Sequence, residues 1–448
     1  MPSIVVREGG PVVLPRSVDG HRMVEQLLRY SAAAPFPCFR LKRGALHAAE
    51  IVGTIQLGKL RLSILPKSAG VGEDSRDKEF LLNLLRAAGY LSASSLALAA
   101  SVRATSLDPL EAMLNEVGNE MLDAVRDGAP RRYEEVAAES ETLRGRIDFG
   151  RLSRRLPGVD AKLAIRYTPL SPSNVLSRTL RWTAESLTRM ARSAEARQVL
   201  AQVLSHLDSV SGLRPTRAEV LNLSLSRYER RWHRTITIAQ LLVDGKFIDP
   251  TFAGRADAFG MLFPLQHLFE RALRQILAET GRAIGLRVVH RSEALHMLHD
   301  EANEGVLRLR PDYVFLRSGE SVVLGDAKWK RLVQTARAYG AERADVYQMN
   351  AYLTRYDVAC AALFVPRMSW MAPGWHESFS IPPLNRRLHL VSVDIERLVN
   401  RTPAVRNEAR GLLLNAVAAV AGAHVNGPGS AEAVDLLGPA GAQFPQGA

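Results

Sequence analysis

PDYVFLRSGESVVLGDAKWK, residues Pro311 to Lys330, decides how the chain is read. Two apolar runs, YVFL and SVVL, flank the segment Arg317 to Glu320, where Ser318-Gly319 supplies the turn chemistry of a tight hairpin. Pairing the two strands brings Asp312 and Asp326 close together. Side chains alternate along a strand, so Asp326 and Lys328 project from one face while Ala327 and Trp329 turn toward packing. An acid and an ammonium then share one site.

Working outward, the helical pattern PLQHLFERALRQILAETG precedes the hairpin, with a strand near LRVVH between them. The helix ADVYQMNAYLTRY, the strand VACAALFVP and a further strand LHLVSVDI near Leu388 follow it. This order predicts a mixed sheet flanked by helices. Upstream, residues 1 to about 70 read as short strands, with Leu60, Leu62 and Ile64 alternating as in a half-buried strand. KEFLLNLLRAAGYL and SLDPLEAMLNEVGNEMLDAVRDG carry helical spacing, the second closed by Gly128. RRYEEVAAESETLRGRIDFGRL breaks that pattern and leads to a strand from Ala161 to Leu170. Helices follow: one from Ser171 or Ser173 with Pro172 in an early position, then EARQVLAQVLSHLDSV, then one over Tyr228 to Val243. The segment DGKFIDPTFAGRADAFG reads as a linker.

The expected fold is multi-domain α+β. A β-rich region covers 1–105, a mainly helical domain covers 106–255, an α/β domain with a mixed sheet covers 256–400, and 401–448 holds a C-terminal helix and a tail. Beyond about Ala423 that tail has no Lys or Arg and is rich in Ala, Gly and Pro, which predicts disorder.

With 47% hydrophobic and 23% charged residues, the composition is that of a folded globular protein. No run of about 18 apolar residues precedes the far C-terminus and the start lacks a cleavable leader pattern, so a cytoplasmic chain without membrane association is expected. Cys38 and Cys360 have no CxxC companion, against a disulfide scaffold or a structural zinc site. A formal charge of +12 favours an anionic partner, because basic side chains gain affinity for phosphate backbones by releasing counterions. Lysine occurs only at positions 42, 59, 67, 78, 162, 246, 328 and 330, all other basic residues being arginine. Codon bias alone produces this, yet it makes a lysine beside an acid worth noting.

Phosphodiester hydrolysis needs a polarised phosphoryl group, an activated water and charge compensation on the leaving oxygen, and a hard cation held by carboxylates provides all three. Mg²⁺ prefers oxygen ligands and keeps waters, so two or three carboxylates suffice. On this reading Asp312 and Asp326 bind metal, the Ala327 carbonyl adds a ligand, and Lys328 orients or deprotonates the attacking water. The motif is that of a PD-(D/E)xK nuclease. A D-x-K triplet alone is more often a solvated ion pair; the two strands and flanking helices give this one its weight. Glu270, on the preceding helix, offers a third carboxylate, or is an ordinary helix surface residue beside Arg271. Gln348, after Tyr347 on the following helix, reaches the site or a phosphate, or is a solvated polar residue. Neither Gly58-Lys59 nor Gly245-Lys246 has the P-loop pattern. His296 and His299 form an HxxH pair without a third ligand and read as surface residues, and Pro66-Lys67 and RLSRRLP from Arg151 as solvated or interface surface.

The chain resembles the McrC family, the nuclease subunits of McrBC-type modified-cytosine restriction systems. The resemblance rests on SILPK at Ser63 to Lys67, RRYEEVAAESETLRGRIDF at Arg131 to Phe149 and TPLSPSNVLSRTL at Thr168 to Leu180. It continues through LFERALRQIL, RPDYVF, LGDAK and VYQMNAYLTRY, in order over roughly residues 50 to 370. The resemblance implies a C-terminal restriction-endonuclease-like domain that cuts DNA with Mg²⁺, metal roles for Asp312 and Asp326, and the catalytic lysine role for Lys328; Glu270 and Gln348 match less distinctively. It further implies an N-terminal region that binds a separate McrB-like AAA+ GTPase, which reads the modified cytosine, so that GTP acts only through the partner. A nuclease of the same fold in repair or mobile-element processing, and a non-catalytic activator of an AAA+ partner, are the alternatives.

Overall fold

A computed structural model of the chain describes residues 3–14, 18–57, 60–67, 74–92, 108–154, 162–243, 247–248, 258–289, 295–382 and 386–422. The expected disorder beyond Ala423, the Gly58-Lys59 and Gly245-Lys246 pairs, and parts of the expected linker and of RLSRRLP lie outside these residues. Two compact units divide the chain: Met1–Leu273 with Val399–Arg401, and Arg274–Leu398 with Thr402–Ala448.

The first unit opens with strand β1 (Ser3–Arg7), helix α1 (Val18–Ala33), the hairpin β2 (Phe39–Lys42) and β3 (Ala45–Ala48), then β4 (Ile51–Leu57) and β5 (Leu60–Leu65). Helix α1 stands where only short strands were expected; Leu27 and Tyr30, one helical turn apart, are buried against the sheet core. Helices α2 (Asp74–Ala87) and α3 (Pro109–Val125) follow. Asp108 caps α3, its Oδ1 accepting from the Leu110 amide at 2.7 Å, and the same carboxylate pairs with Arg61 at 2.9 Å and accepts from Ser63 Oγ at 3.1 Å. Because Ser63 is drawn into this network, β5 is buried on both sides along its second half instead of being half-buried.

The polar segment after α3 forms β6 (Arg132–Tyr133), β7 (Val136–Ser140), β8 (Arg146–Ile147), the short helix α4 (Phe149–Leu152), β9 (Leu163–Tyr167) and β10 (Leu170–Ser171). Helix α5 (Val175–Met190) begins later than expected and leaves Pro172 outside, because the buried Asn174 is the cap: its Oδ1 accepts from the Ser177 amide at 3.0 Å. Helices α6 (Ala194–His206), α7 (Arg217–Leu221) and α8 (His233–Val243) follow, the last preceded by a 3-10 segment, Arg227–Trp232. The segment read as a linker carries β11 (Phe247–Ile248) and leads into β12 (Ala258–Pro264), and both join the first unit's sheet in the order β1-β5-β4-β12-β11. The break between units falls instead within helix α9 (Leu265–Arg282).

In the second unit come β13 (Arg287–Val289), the exposed hairpin β14 (His296–His299) and β15 (Gly305–Arg308), and the decisive pair β16 (Tyr313–Arg317) and β17 (Glu320–Ala327). Helix α10 (Arg343–Tyr356), β18 (Cys360–Pro366), β19 (His376–Ile381), β20 (Arg386–Val393), α11 (Ile395–Leu398) and α12 (Pro403–Gly422) complete it. The six-stranded sheet is mixed, as expected, in the order β13-β16-β17-β18-β20-β19. β16 and β17 are antiparallel and close through Ser318 and Gly319, both with positive φ (53° and 96°), the geometry of a two-residue primed turn. β17, β18 and β20 run parallel. All seven residues of β18 are buried, so the sheet centre is covered on both faces. α10 packs Met349, Tyr352 and Leu353 with Leu324, Leu363 and Leu390 on one face, and α12 runs against β17, β18 and β20 as well.

Behind Asp326 the strand is pressed flat. A Cβ on Gly325 would stand 3.0 Å from both Tyr313 Cδ2 and Phe364 Cε2 and 3.1 Å from Phe315 Cε2. Gly325→Ala is therefore expected to overpack this face and cost about 1–3 kcal/mol of stability, read by denaturant unfolding; an unchanged midpoint would show that the rings give way freely.

His389 shares a row across the sheet with Gly325 and Ala362. It is 4% exposed, and among the described residues neither ring nitrogen has a hydrogen-bond partner. Burial, with His376 and Arg387 adding to it, lowers its pKa from 6.5 to about 4. As pH falls through this window the unfolded chain takes up the proton first, so stability is lost between about 6.5 and about 4. His389→Leu is expected to raise the melting temperature and flatten that part of the stability profile, measured by thermal denaturation from pH 7 to pH 4.

Candidate functional site

The carboxyl end of β17 positions the site. Asp326, on the strand's last turn of the pleat before Ala327, is 2% exposed and pairs in register with Leu363, which places it on the face covered by α10. Lys328 follows just past the strand, and its backbone amide continues the ladder by donating to the Phe364 carbonyl at 2.8 Å. Its ammonium returns to the Asp326 carboxylate, Nζ to Oδ2 at 2.6 Å. Asp312 precedes β16 and is tied to the next strand directly: the Ala327 amide donates to its Oδ2 at 2.9 Å.

Helix α10 supplies the opposing wall. Lys328 Nζ donates to Gln348 Oε1 at 3.1 Å, and Gln348 Nε2 donates to the Tyr352 hydroxyl at 2.7 Å. Tyr352 in turn donates to the Arg310 carbonyl at 3.0 Å, two residues before Asp312. Burial pushes the Tyr352 hydroxyl up to about 12, with the Asp326 carboxylate adding to the rise, so this ring stays a neutral donor. Asp345, also on α10 and 6% exposed, lies with Oδ1 3.9 Å from Lys328 Nζ and Oδ2 2.7 Å from Lys330 Nζ. Lys330 is held as well by Glu342 at 2.7 Å. Burial works to lower the Lys330 pKa, but its bonds to Asp345 and Glu342 outweigh this and raise it.

Asp312, Asp326, Lys328 and Gln348 thus come together within the second unit. Glu270 stands half-buried on the part of α9 that belongs to the first unit. His296 and His299 occupy the exposed hairpin, with ring centroids 6.4 Å apart. Tyr352, Asp345 and Lys330 were not singled out from sequence. For Asp345 and Tyr352 the signal is the polar stripe Asp345, Gln348, Tyr352 at i, i+3 and i+7, which a helix presents on one side, and for Lys330 it is the rarity of lysine in the chain.

Two carboxylates beside a strand-end peptide form an oxygen-only donor set, suited to a hard cation such as Mg²⁺ and unsuited to zinc. Among the described residues no three or more His, Cys, Asp or Glu side chains converge as a metal cluster. With two carboxylates as ligands, a Mg²⁺ ion held here would keep several of its waters. Among the described residues no helix is long and apolar enough to cross a membrane.

Comparison with known proteins bears on the whole chain. No curated protein matches it. One solved structure, described as "Refined half-complex from tetradecameric assembly of Thermococcus gammatolerans McrB AAA+ hexamers with bound McrC", contains a chain that superposes with a TM-score of 0.60 at 16% identity, over 92% of this chain and 99% of that one. The likeness shows a shared fold. The "Cryo-EM structure of the Thermococcus gammatolerans McrBC complex" gives a TM-score of 0.47 at 16% identity, over 62% of this chain and 88% of that one. The family model described as "McrBC 5-methylcytosine restriction system component" matches residues 46–366, well over half of the chain and all of the site's second-unit residues. By that match the chain belongs to the family of McrBC 5-methylcytosine restriction system components.

Proposed function

We propose that this chain is the DNA-cleaving subunit of a modification-dependent restriction system, a Mg²⁺-dependent endonuclease with a PD-(D/E)xK site that acts with a separate McrB-like AAA+ GTPase. The observation that carries the reading is the convergence of Asp312, Asp326 and Lys328 at one strand end, inside the segment matched by the family model. The partner assignment is supported by the solved relative, described as McrC bound to McrB AAA+ hexamers. The partner reads the modified cytosine and uses GTP; this chain carries the phosphodiester chemistry and lies in the cytoplasm.

Asp312 and Asp326 would hold the cation, with the Ala327 carbonyl as a further oxygen. Mg²⁺ supplies polarisation of the phosphoryl group and a water of lowered pKa. Lys328 would orient the attacking water and offset the charge that grows on the phosphoryl oxygens. Gln348 holds the Lys328 ammonium in place, and Tyr352 fixes Gln348 to the backbone ahead of Asp312.

Asp326→Ala, assayed as the full chain with its GTPase partner, GTP and Mg²⁺ on methylated DNA, is expected to abolish cleavage while complex formation survives. Cleavage that persists in this variant would sink the site assignment.

Tyr352→Phe removes one donor and leaves the ring, so the fold should hold. Cleavage is expected to fall by about tenfold to a hundredfold, the scale for losing a hydrogen bond that orients a catalytic group. The fall should appear in the single-turnover rate and not in DNA affinity; unchanged single-turnover kinetics would remove Tyr352 from the site.

A further inference from the structure

Lys328 lies against the carboxylate that the metal-site reading assigns to a cation. Its Nζ is 2.6 Å from Asp326 Oδ2, the oxygen of a carboxylate that is 2% exposed. An ammonium and a divalent cation cannot both crowd that oxygen, because positive charges a few ångströms apart repel strongly away from bulk water. Loading the site with metal therefore requires the ammonium to withdraw. The direction of withdrawal is set by what can accept it.

Gln348 Oε1, at 3.1 Å, holds the ammonium already but carries no charge. An anionic acceptor in reach on α10 is Asp345, whose Oδ1 is 3.9 Å away, too long for a hydrogen bond and short enough to be closed by a small side-chain rotation. Asp345 is itself held at its other oxygen, 2.7 Å from Lys330, and Lys330 is held by Glu342 at the same distance. It lies in the first turn of α10, where the helix dipole favours a carboxylate. One oxygen is thus fixed and the other is turned toward Lys328.

We propose that Asp345 is a positioning residue that receives the Lys328 ammonium when a divalent cation takes Asp326, with Lys330 holding Asp345 ready for the exchange. The inference rests on the metal-site reading above and adds a step to it. In this reading Lys328 and the cation compete for Asp326, and the move to Asp345 frees Asp326 while leaving the ammonium beside Gln348.

The test is Mn²⁺ binding to the full chain without DNA, followed by the spin resonance of free Mn²⁺, in a double-mutant cycle of Lys328→Met and Asp345→Asn. Lys328→Met removes the competing charge and is expected to tighten binding by about tenfold, whereas Asp345→Asn strands the ammonium on Asp326 and is expected to weaken it by about fivefold. In the Lys328→Met background, Asp345→Asn should change the affinity by less than about twofold, because no ammonium remains to be received. Equal weakening in both backgrounds, or no tightening in Lys328→Met, overturns the proposal. Should Asp345→Asn fail to fold, Lys330→Met carries the same test, with weakening expected only where Lys328 is present. Asp326→Ala separates the two readings: undiminished Mn²⁺ binding in that variant overturns the metal site itself, while lost binding with no coupling in the cycle overturns only the role of Asp345.

Discussion

The hydrogen bond from the Ala327 amide to the Asp312 carboxylate is the constraint on which the site depends. Asp312 lies outside the regular strand, so alternation along β16 does not aim it. A backbone donor on the neighbouring strand does, and that donor is placed by the register of the hairpin. A slip of one residue in that register would turn Asp326 away from α10 and put a different amide opposite Asp312. The primed turn at Ser318 and Gly319, together with the register shift between Phe315 and Leu316, sets the pairing from the closed end, and the parallel pairing of β17 with β18 holds it from the other side.

Around this anchor the second unit is arranged by charge as well as by packing. Three acids and two lysines alternate from β17 to α10, and each buried member has an oppositely charged neighbour within about hydrogen-bond reach or one small rotation of it. A buried ion pair is costly to form and more costly to leave half-made. The network therefore holds α10 against the strand ends in one setting, and Tyr352 carries that setting back to the backbone before Asp312.

Much of this was legible in the sequence because its causes are local. The turn at Ser318-Gly319, the alternation that puts Asp326 and Lys328 on one face, and the helix after them depend on residues close together in the chain. What was not legible depends on contacts between distant segments. Gln348 could be named but not decided, since its meaning rests on Lys328 and Tyr352 at once. Asp345 and Lys330 read as ordinary surface charges until α10 is laid against β17. Helix α1 was missed because its buried side chains are few and its neighbours are strand-like. Strand β19, HESFSI, was missed because an edge strand with alternate residues exposed has little apolar signal. The described parts of the segment read as a linker are likewise placed by distant contacts: β12 is held by pairing with β4, far upstream, and β11 by pairing with β12, and neither by its own composition.

The glycine behind Asp326 has a consequence for how such a chain can change over generations. Gly325, Tyr313, Phe315 and Phe364 fill one closed space, and the ring centroids of Tyr313 and Phe315 lie 5.8 Å and 6.2 Å from that of Phe364. A side chain gained at residue 325 must be matched by volume given up in one of the three rings, so none of the four drifts alone. Asp326 is thus kept in place partly by a set of apolar residues on the opposite side of its strand, whose volumes must change together.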